Sequence, residues 1–231
     1  MLELLRQLSL IDGIALVGFI GAWWGYAAFA RRRAASDSLL ATTNRIRRLW
    51  MMQTTWRENR VIDGVVVQNL STSPSFFAST TILIIGGLLA LLGATDEAAK
   101  LVREIPFAVR TTSFVFDLKL FVLTAIFVYA FFRFTWSMRQ YTFGALLIAS
   151  APEPAVFASG QASREEFADR AGRVVGMAAE TFNDGLRAYY MAFAAVLWFF
   201  SPLAFAVGTA GIVYLLYQRE FRSEVLDVLR H

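Results

Sequence analysis

Cysteine is absent from all 231 residues. That excludes disulfides, thiolate nucleophiles and cysteine-held clusters in this chain. Histidine occurs once, as the final residue His231, which removes a histidine-ligated haem or zinc core and a histidine-activated serine. No glycine-rich phosphate loop or His-Glu-x-x-His pair is present, and no internal repeat or low-complexity segment is found. A carboxylate pair such as Glu165-Glu166 is consecutive and adjacent to a helix start, where negative charge simply suits the helix dipole. No catalytic residues, no metal site and no cofactor are therefore expected, and an enzyme is the least favoured class.

Charge is scarce too. Charged residues make up 17% of the chain and hydrophobic ones 57%, against about 25% charged in soluble domains. Mean hydropathy is +0.50 and the isoelectric point about 9.7. In a soluble protein such a basic balance would suggest nucleic acid. Here Lys and Arg collect in the hydrophilic segments of an otherwise apolar chain, the pattern of a membrane protein with its basic loops on one side.

Four apolar stretches set the organisation, at about residues 10–30, 76–94, 114–136 and 188–217. Each is long enough to cross a hydrocarbon core of roughly 30 Å. The first is followed at once by Arg31-Arg32-Arg33 and preceded only by Arg6, so it reads as an uncleaved anchor with its N-terminus outside. The last is too short for two spans and a turn; it reads as one long tilted helix, kinked or broken at Ser201-Pro202. Segments 31–75 and 137–187 are the cytoplasmic candidates, and the tail after residue 217 is an amphipathic charged helix outside. On this division the cytoplasmic side holds thirteen Lys and Arg and the other side seven. The expected fold is all-α: a single multi-pass membrane domain over residues 1–231, with about four transmembrane helices, long cytoplasmic helical extensions and both termini on the periplasmic side of an inner membrane.

Within the cytoplasmic segments, Asp37 or Ser38 can cap a long helix, which Ser71-Thr72-Ser73-Pro74-Ser75 then breaks. If residues 45–66 are helical, Ile46, Leu49, Trp50 and Trp56 share a face with Arg57 and Arg60. A cation on a buried face needs a partner, and Asp63 lies three residues beyond Arg60. Two readings stand: an internal ion-pair network of Arg57 and Arg60 with Asp63, Glu180 or Asp184, or a site for an anion or lipid headgroup, which guanidinium groups bind bidentately. The candidate residues are Arg57, Asn59, Arg60 and Asp63, with Asn183, Asp184 and Arg187 as a second cluster. Trp23-Trp24, Trp136, Tyr189 and Tyr190 read as interfacial belt residues. Asp117, Lys119 and Arg133 lie near the ends of the third span, where charges either snorkel to the headgroups or line a path through the membrane. Ser163 and Glu166 form a capping box. The helix after them carries Phe167, Ala171, Val174, Val175, Ala178, Phe182 and Leu186 on one face. Ala168, Gly172 and Gly176 make a small-residue ridge for close helix contact, within or between chains.

Six blocks, Arg60-Val-Ile-Asp63, Phe76-Phe-Ala-Ser-Thr-Thr81, Phe131-Phe-Arg-Phe-Thr-Trp136, Gly185-Leu-Arg-Ala-Tyr-Tyr190, Trp198-Phe-Phe-Ser-Pro202 and Arg219-Glu-Phe-Arg-Ser223, carry a family likeness. Over about residues 10–225 the chain resembles the bacterial and plant membrane proteins grouped as domain of unknown function 599. The resemblance implies a multi-pass membrane protein and brings no catalytic residues. It has one departure: Asn183-Asp184-Gly185 stands where the family pattern reads Asn-Arg-Gly. Three functions are then open. The first is a small-solute or ion transporter or channel-like protein acting as an oligomer. The second is a structural or regulatory subunit, assembling with itself or a membrane complex through its cytoplasmic helices. The third is a lipid-headgroup-binding protein or enzyme. Membrane lipids are the expected partners, and nucleic acid is not.

Overall fold

The computed structural model describes residues 9–33, 38–94 and 112–230. Arg6, Asp37, the loop 95–111 and His231 lie outside the described residues. The helices among the described residues are α1 Leu10–Arg33, α2 Leu39–Thr54, α3 Val61–Gly93, α4 Ser113–Ala149, α5 Pro154–Ala158, α6 Arg164–Leu197, α7 Pro202–Phe221 and α8 Glu224–Arg230. Three of these, α1, α3 and α4, are long and apolar enough to cross a membrane. The chain divides into two units. One, here the apolar unit, takes in Met1–Arg33, Thr80–Ala130 and Leu186–Arg219; the other, the polar unit, takes in Ala34–Ser79, Phe131–Gly185 and Glu220–His231.

In the apolar unit Phe19, Trp198 and Phe205 are almost fully buried. The Trp198 and Phe205 rings stack at 5.0 Å, and Phe19 lies 4.9 Å from Phe205. Tyr26, Ala30 and Leu216 form a second buried cluster. The last apolar run differs from the single tilted helix expected of it. Its first half ends at Leu197, where the Trp198, Phe199 and Phe200 amides bond three residues back and tighten the final turn. A new helix then starts: Ser201 Oγ accepts the Ala204 N–H at 3.0 Å, and Pro202 takes the first helical position. A Cβ placed on Gly208 would press on the Leu197 side chain and stand 3.8 Å from Ala194 Cα. Arg219 Nη1 donates to the Tyr190 hydroxyl at 3.1 Å. A straight helix would put those two residues about 43 Å apart. The run is thus a hairpin, because Ser201-Pro202 is a helix start and not a kink.

The polar unit is built on α6. Its residues Phe167, Ala171, Val175 and Ala178 are buried against Met51 and Tyr141, as the face reading expected. Ser163 Oγ accepts the Glu166 N–H at 3.2 Å, the backbone half of the capping box; its hydroxyl donates to Glu165 rather than Glu166. The small-residue ridge is occupied by α2 of the same chain. A Cβ on Gly172 would lie 3.0 Å from Arg48 Cα, and one on Gly176 would lie 2.9 Å from Asn44 Oδ1. The tail helix α8 also packs on α2, with Leu226 only 1% exposed. The tail therefore groups with the segments assigned to the cytoplasm, and not apart from them as expected.

Two helix boundaries move as well. Ser38 caps α2, its Oγ accepting the Ala41 N–H at 3.1 Å. That helix stops at Thr54, so residues 45–66 are not one helix. Asn59 Oδ1 accepts the Val61 N–H at 3.0 Å and starts α3 instead, which then runs through Pro74 without a break. The proline removes the donor that the Leu70 carbonyl would use, while Ser71 and Thr72 donate to the Gln68 carbonyl at 2.8 and 3.2 Å.

Candidate functional site

The turn between α2 and α3 places Arg57 and Arg60 in a loop, not on a helical face. Ile46, Leu49 and Trp56 are correspondingly exposed. Asp63, in the first turn of α3, is fully buried. Its Oδ1 pairs with Arg57 and accepts from Trp50 Nε1 at 2.7 Å and Thr54 Oγ1 at 3.3 Å. Its Oδ2 is buried with no hydrogen-bond partner. Arg60 does not engage Asp63. It donates through Nη1 to the Ala151 carbonyl at 2.7 Å, through Nη2 to the Pro152 carbonyl and through Nε to the Thr54 carbonyl at 3.3 Å. Arg164 reaches the Thr55 carbonyl at 2.6 Å and covers the Trp56 ring at 3.6 Å. Cations so placed answer the orphan carbonyls at the end of α2. Arg57 and Asp63 thus pair inside the polar unit, Asn59 starts α3, and backbone carbonyls engage the guanidinium of Arg60.

Asp184 pairs with Arg133 in the polar unit, which also holds the mutually packed rings of Phe77, Phe134 and Phe182. Arg133 Nε is buried without a hydrogen-bond partner, and Asn183 is half-buried. Arg187 falls in the apolar unit, buried, its guanidinium 5.8 Å from the Tyr26 ring centre. Asp184 therefore joins neither Arg57 nor Arg60. Tyr189, read as a belt residue, is 2.6 Å from Thr81 Oγ1.

A third constellation emerges only in three dimensions. Lys119, on α4, is 2% exposed and Asp12, on α1, 8%. Both bind the residue that ends α6. Lys119 Nζ donates to the Trp198 carbonyl at 2.8 Å and sits 5.5 Å from the Trp198 ring centre and 6.0 Å from that of Phe199. Trp198 Nε1 donates to Asp12 Oδ1 at 2.7 Å, and Ser9 Oγ donates to Asp12 Oδ2 at 2.7 Å. Asp117, two residues before Lys119, is half-buried. Sequence alone shows Asp12 only as an interruption of an apolar run, and Lys119 as a charge near a span end that could snorkel or line a path. The available signal was Trp198 within a family-like block; what links it to Lys119 and Asp12 is tertiary. An ammonium and a carboxylate held in an apolar unit can bind a small ion or hand on a proton. Among the described residues no group of three or more metal-binding side chains forms.

A family model described as "Protein of unknown function, DUF599" matches residues 14–225. No curated protein and no solved structure matches the chain.

Proposed function

Since the chain belongs to the DUF599 family, whose model spans most of its length, we propose that it is a multi-pass inner-membrane protein that conducts a small ion or solute through its apolar unit. Asp12 and Lys119 are the charged groups on the path. The observation that carries this reading is the burial of both charges in the unit that holds α1. Ionisable groups in such surroundings are costly and mark ion or solute pathways. The turn they touch is also closed by its own amides and by the Ser201 cap. Assembly through the small-residue ridge loses its support, because α2 of the same chain fills that ridge.

On this reading the α6–α7 hairpin adds the last two crossings to α1, α3 and α4, with the N-terminus outside and the tail inside. The charge asymmetry sharpens accordingly, to sixteen Lys and Arg inside and four outside.

The test is flux into liposomes containing the purified chain, followed with a pH-sensitive dye under potassium, chloride or proton gradients. Wild type should exceed protein-free liposomes for at least one gradient. Lys119→Met and Asp12→Asn should each abolish that excess, while Lys119→Arg keeps part of it. Equal flux with and without protein under every gradient would overturn the reading.

A further inference from the structure

A cleft of about 460 Å³ runs along the apolar unit between α1 and α4. Its α1 wall is one helical stripe that includes Leu16, Ile20, Trp23, Ala27 and Arg31; Ala125 and Tyr129 belong to the α4 wall. Fifteen residues separate Leu16 from Arg31, about 22 Å of helix, which exceeds the roughly 15 Å of one leaflet's hydrocarbon. The lining is apolar except where it ends on a guanidinium. Arg31 is exposed and is followed by Arg32 and Arg33. Among the described residues neither Arg31 nor Arg32 has an ion-pair partner. Trp24 is 71% exposed, and Trp23 meets Tyr129 edge-on at 5.7 Å. The two tryptophans stand seven and eight residues before Arg31, about 11 Å along the axis, which is deeper than a headgroup belt. Both line the cleft.

We propose that this cleft binds one acyl chain of an anionic phospholipid from the cytoplasmic leaflet, with the lipid phosphate on Arg31. Charge complementarity selects this occupant. An acyl chain matches the lining, and a phosphate matches Arg31 at its end, with Arg32 and Arg33 next in the chain adding positive charge. A second copy docking its own α1 in parallel would set three arginines against three. The inference rests on the membrane placement of the apolar unit and not on conduction.

The full chain in detergent is titrated with phosphatidylglycerol, phosphatidylcholine or palmitate, and bound lipid is counted by native mass spectrometry. Wild type should retain one phosphatidylglycerol in preference to phosphatidylcholine. Arg31→Ala should weaken that retention roughly fivefold, while Arg222→Ala, in the polar unit, leaves it unchanged. Ala27→Trp should abolish retention by filling the cleft, with helicity checked by circular dichroism. If that variant fails to fold, Ala125→Phe fills the cleft from the other wall. Equal retention of the two phospholipids, preferred retention of palmitate, retention unaffected by both cleft-filling variants, or a lipid-free dimer in their place would each overturn the proposal. A chain that binds phosphatidylglycerol yet shows no flux would leave this inference standing and remove only conduction.

Discussion

Arg57 and Arg60 are three residues apart and do different work. Arg57 supplies charge to Asp63, a fully buried carboxylate, whereas Arg60 supplies donors to three backbone carbonyls. A double-mutant cycle separates these roles. Arg57→Ala and Asp63→Asn should couple by about 0.5–3 kcal/mol, and Arg60→Ala with Asp63→Asn should add within about 0.5 kcal/mol. Chemical denaturation in detergent measures both. A strong Arg60–Asp63 coupling would contradict the geometry. Arg57 is 44% exposed at its side chain, so its loss alone should cost well under the 3–5 kcal/mol of a fully buried broken pair. Trp50→Phe removes a neutral donor to the same oxygen and should cost about 1.5–3 kcal/mol. The departure from the family pattern at Asp184 also finds a physical sense at this scale, since Asp184 is the residue that pairs with Arg133. Asp184→Arg should set two cations together and destabilise the polar unit, lowering its thermal midpoint.

At the scale of elements, periodicity made one helix legible and misjudged its neighbours. The buried face of α6 follows its apolar spacing, because Phe167, Ala171, Val175 and Ala178 recur at the helical period and meet one core. The first turn was legible from Ser163, whose hydroxyl takes the Glu166 amide. Arg57-Glu58-Asn59 contains no proline or glycine to announce the end of α2. The break depends on the Asn59 cap and on carbonyls that Arg60 reaches some ninety residues away in sequence, and neither partner is visible locally. Pro74 misleads in the opposite direction, since α3 runs on through it while Ser71 and Thr72 before it donate to the Gln68 carbonyl. The Asp12–Trp198–Lys119 constellation joins three distant segments, so no local window could show it. The ridge at Gly172 was legible as a close approach, though not which helix it would receive. A side chain there meets the backbone of Arg48 at 3.0 Å and cannot be turned aside. Gly172→Leu should therefore cost about 1–3 kcal/mol through overpacking and lower the thermal midpoint, with no change of size in detergent. A shift in size would mean that the ridge also serves a contact between chains.

For the whole molecule the open question is how often the chain crosses the membrane, and the tail decides it. Four crossings leave residues after 217 on the same side as the N-terminus; five place them with the segments around Ser38 and Ser163. Leu226 is 1% exposed and its helix packs on α2, a contact that cannot form if a bilayer separates the two helices. The absence of native cysteine makes single-cysteine labelling clean. Ser38→Cys, Ser163→Cys and Ser223→Cys should each resist a membrane-impermeant maleimide in intact cells and react once the membrane is permeabilised. Thr112→Cys, at an exposed position just before α4, should react from outside without permeabilisation. Of these, Ser223→Cys is the discriminating site, because it alone reports differently for four crossings and for five. Reaction of Ser223→Cys from outside intact cells would sink the five-crossing topology. It would also require α8 to leave α2 and expose Leu226 to water. If the tail is inside and docked, Leu226→Asp buries a charge without a partner and should destabilise the chain by several kcal/mol. If the tail hangs free outside, that substitution should leave stability unchanged. Labelling and stability thus read the same placement through independent physics, accessibility in one case and desolvation in the other, and the two must agree.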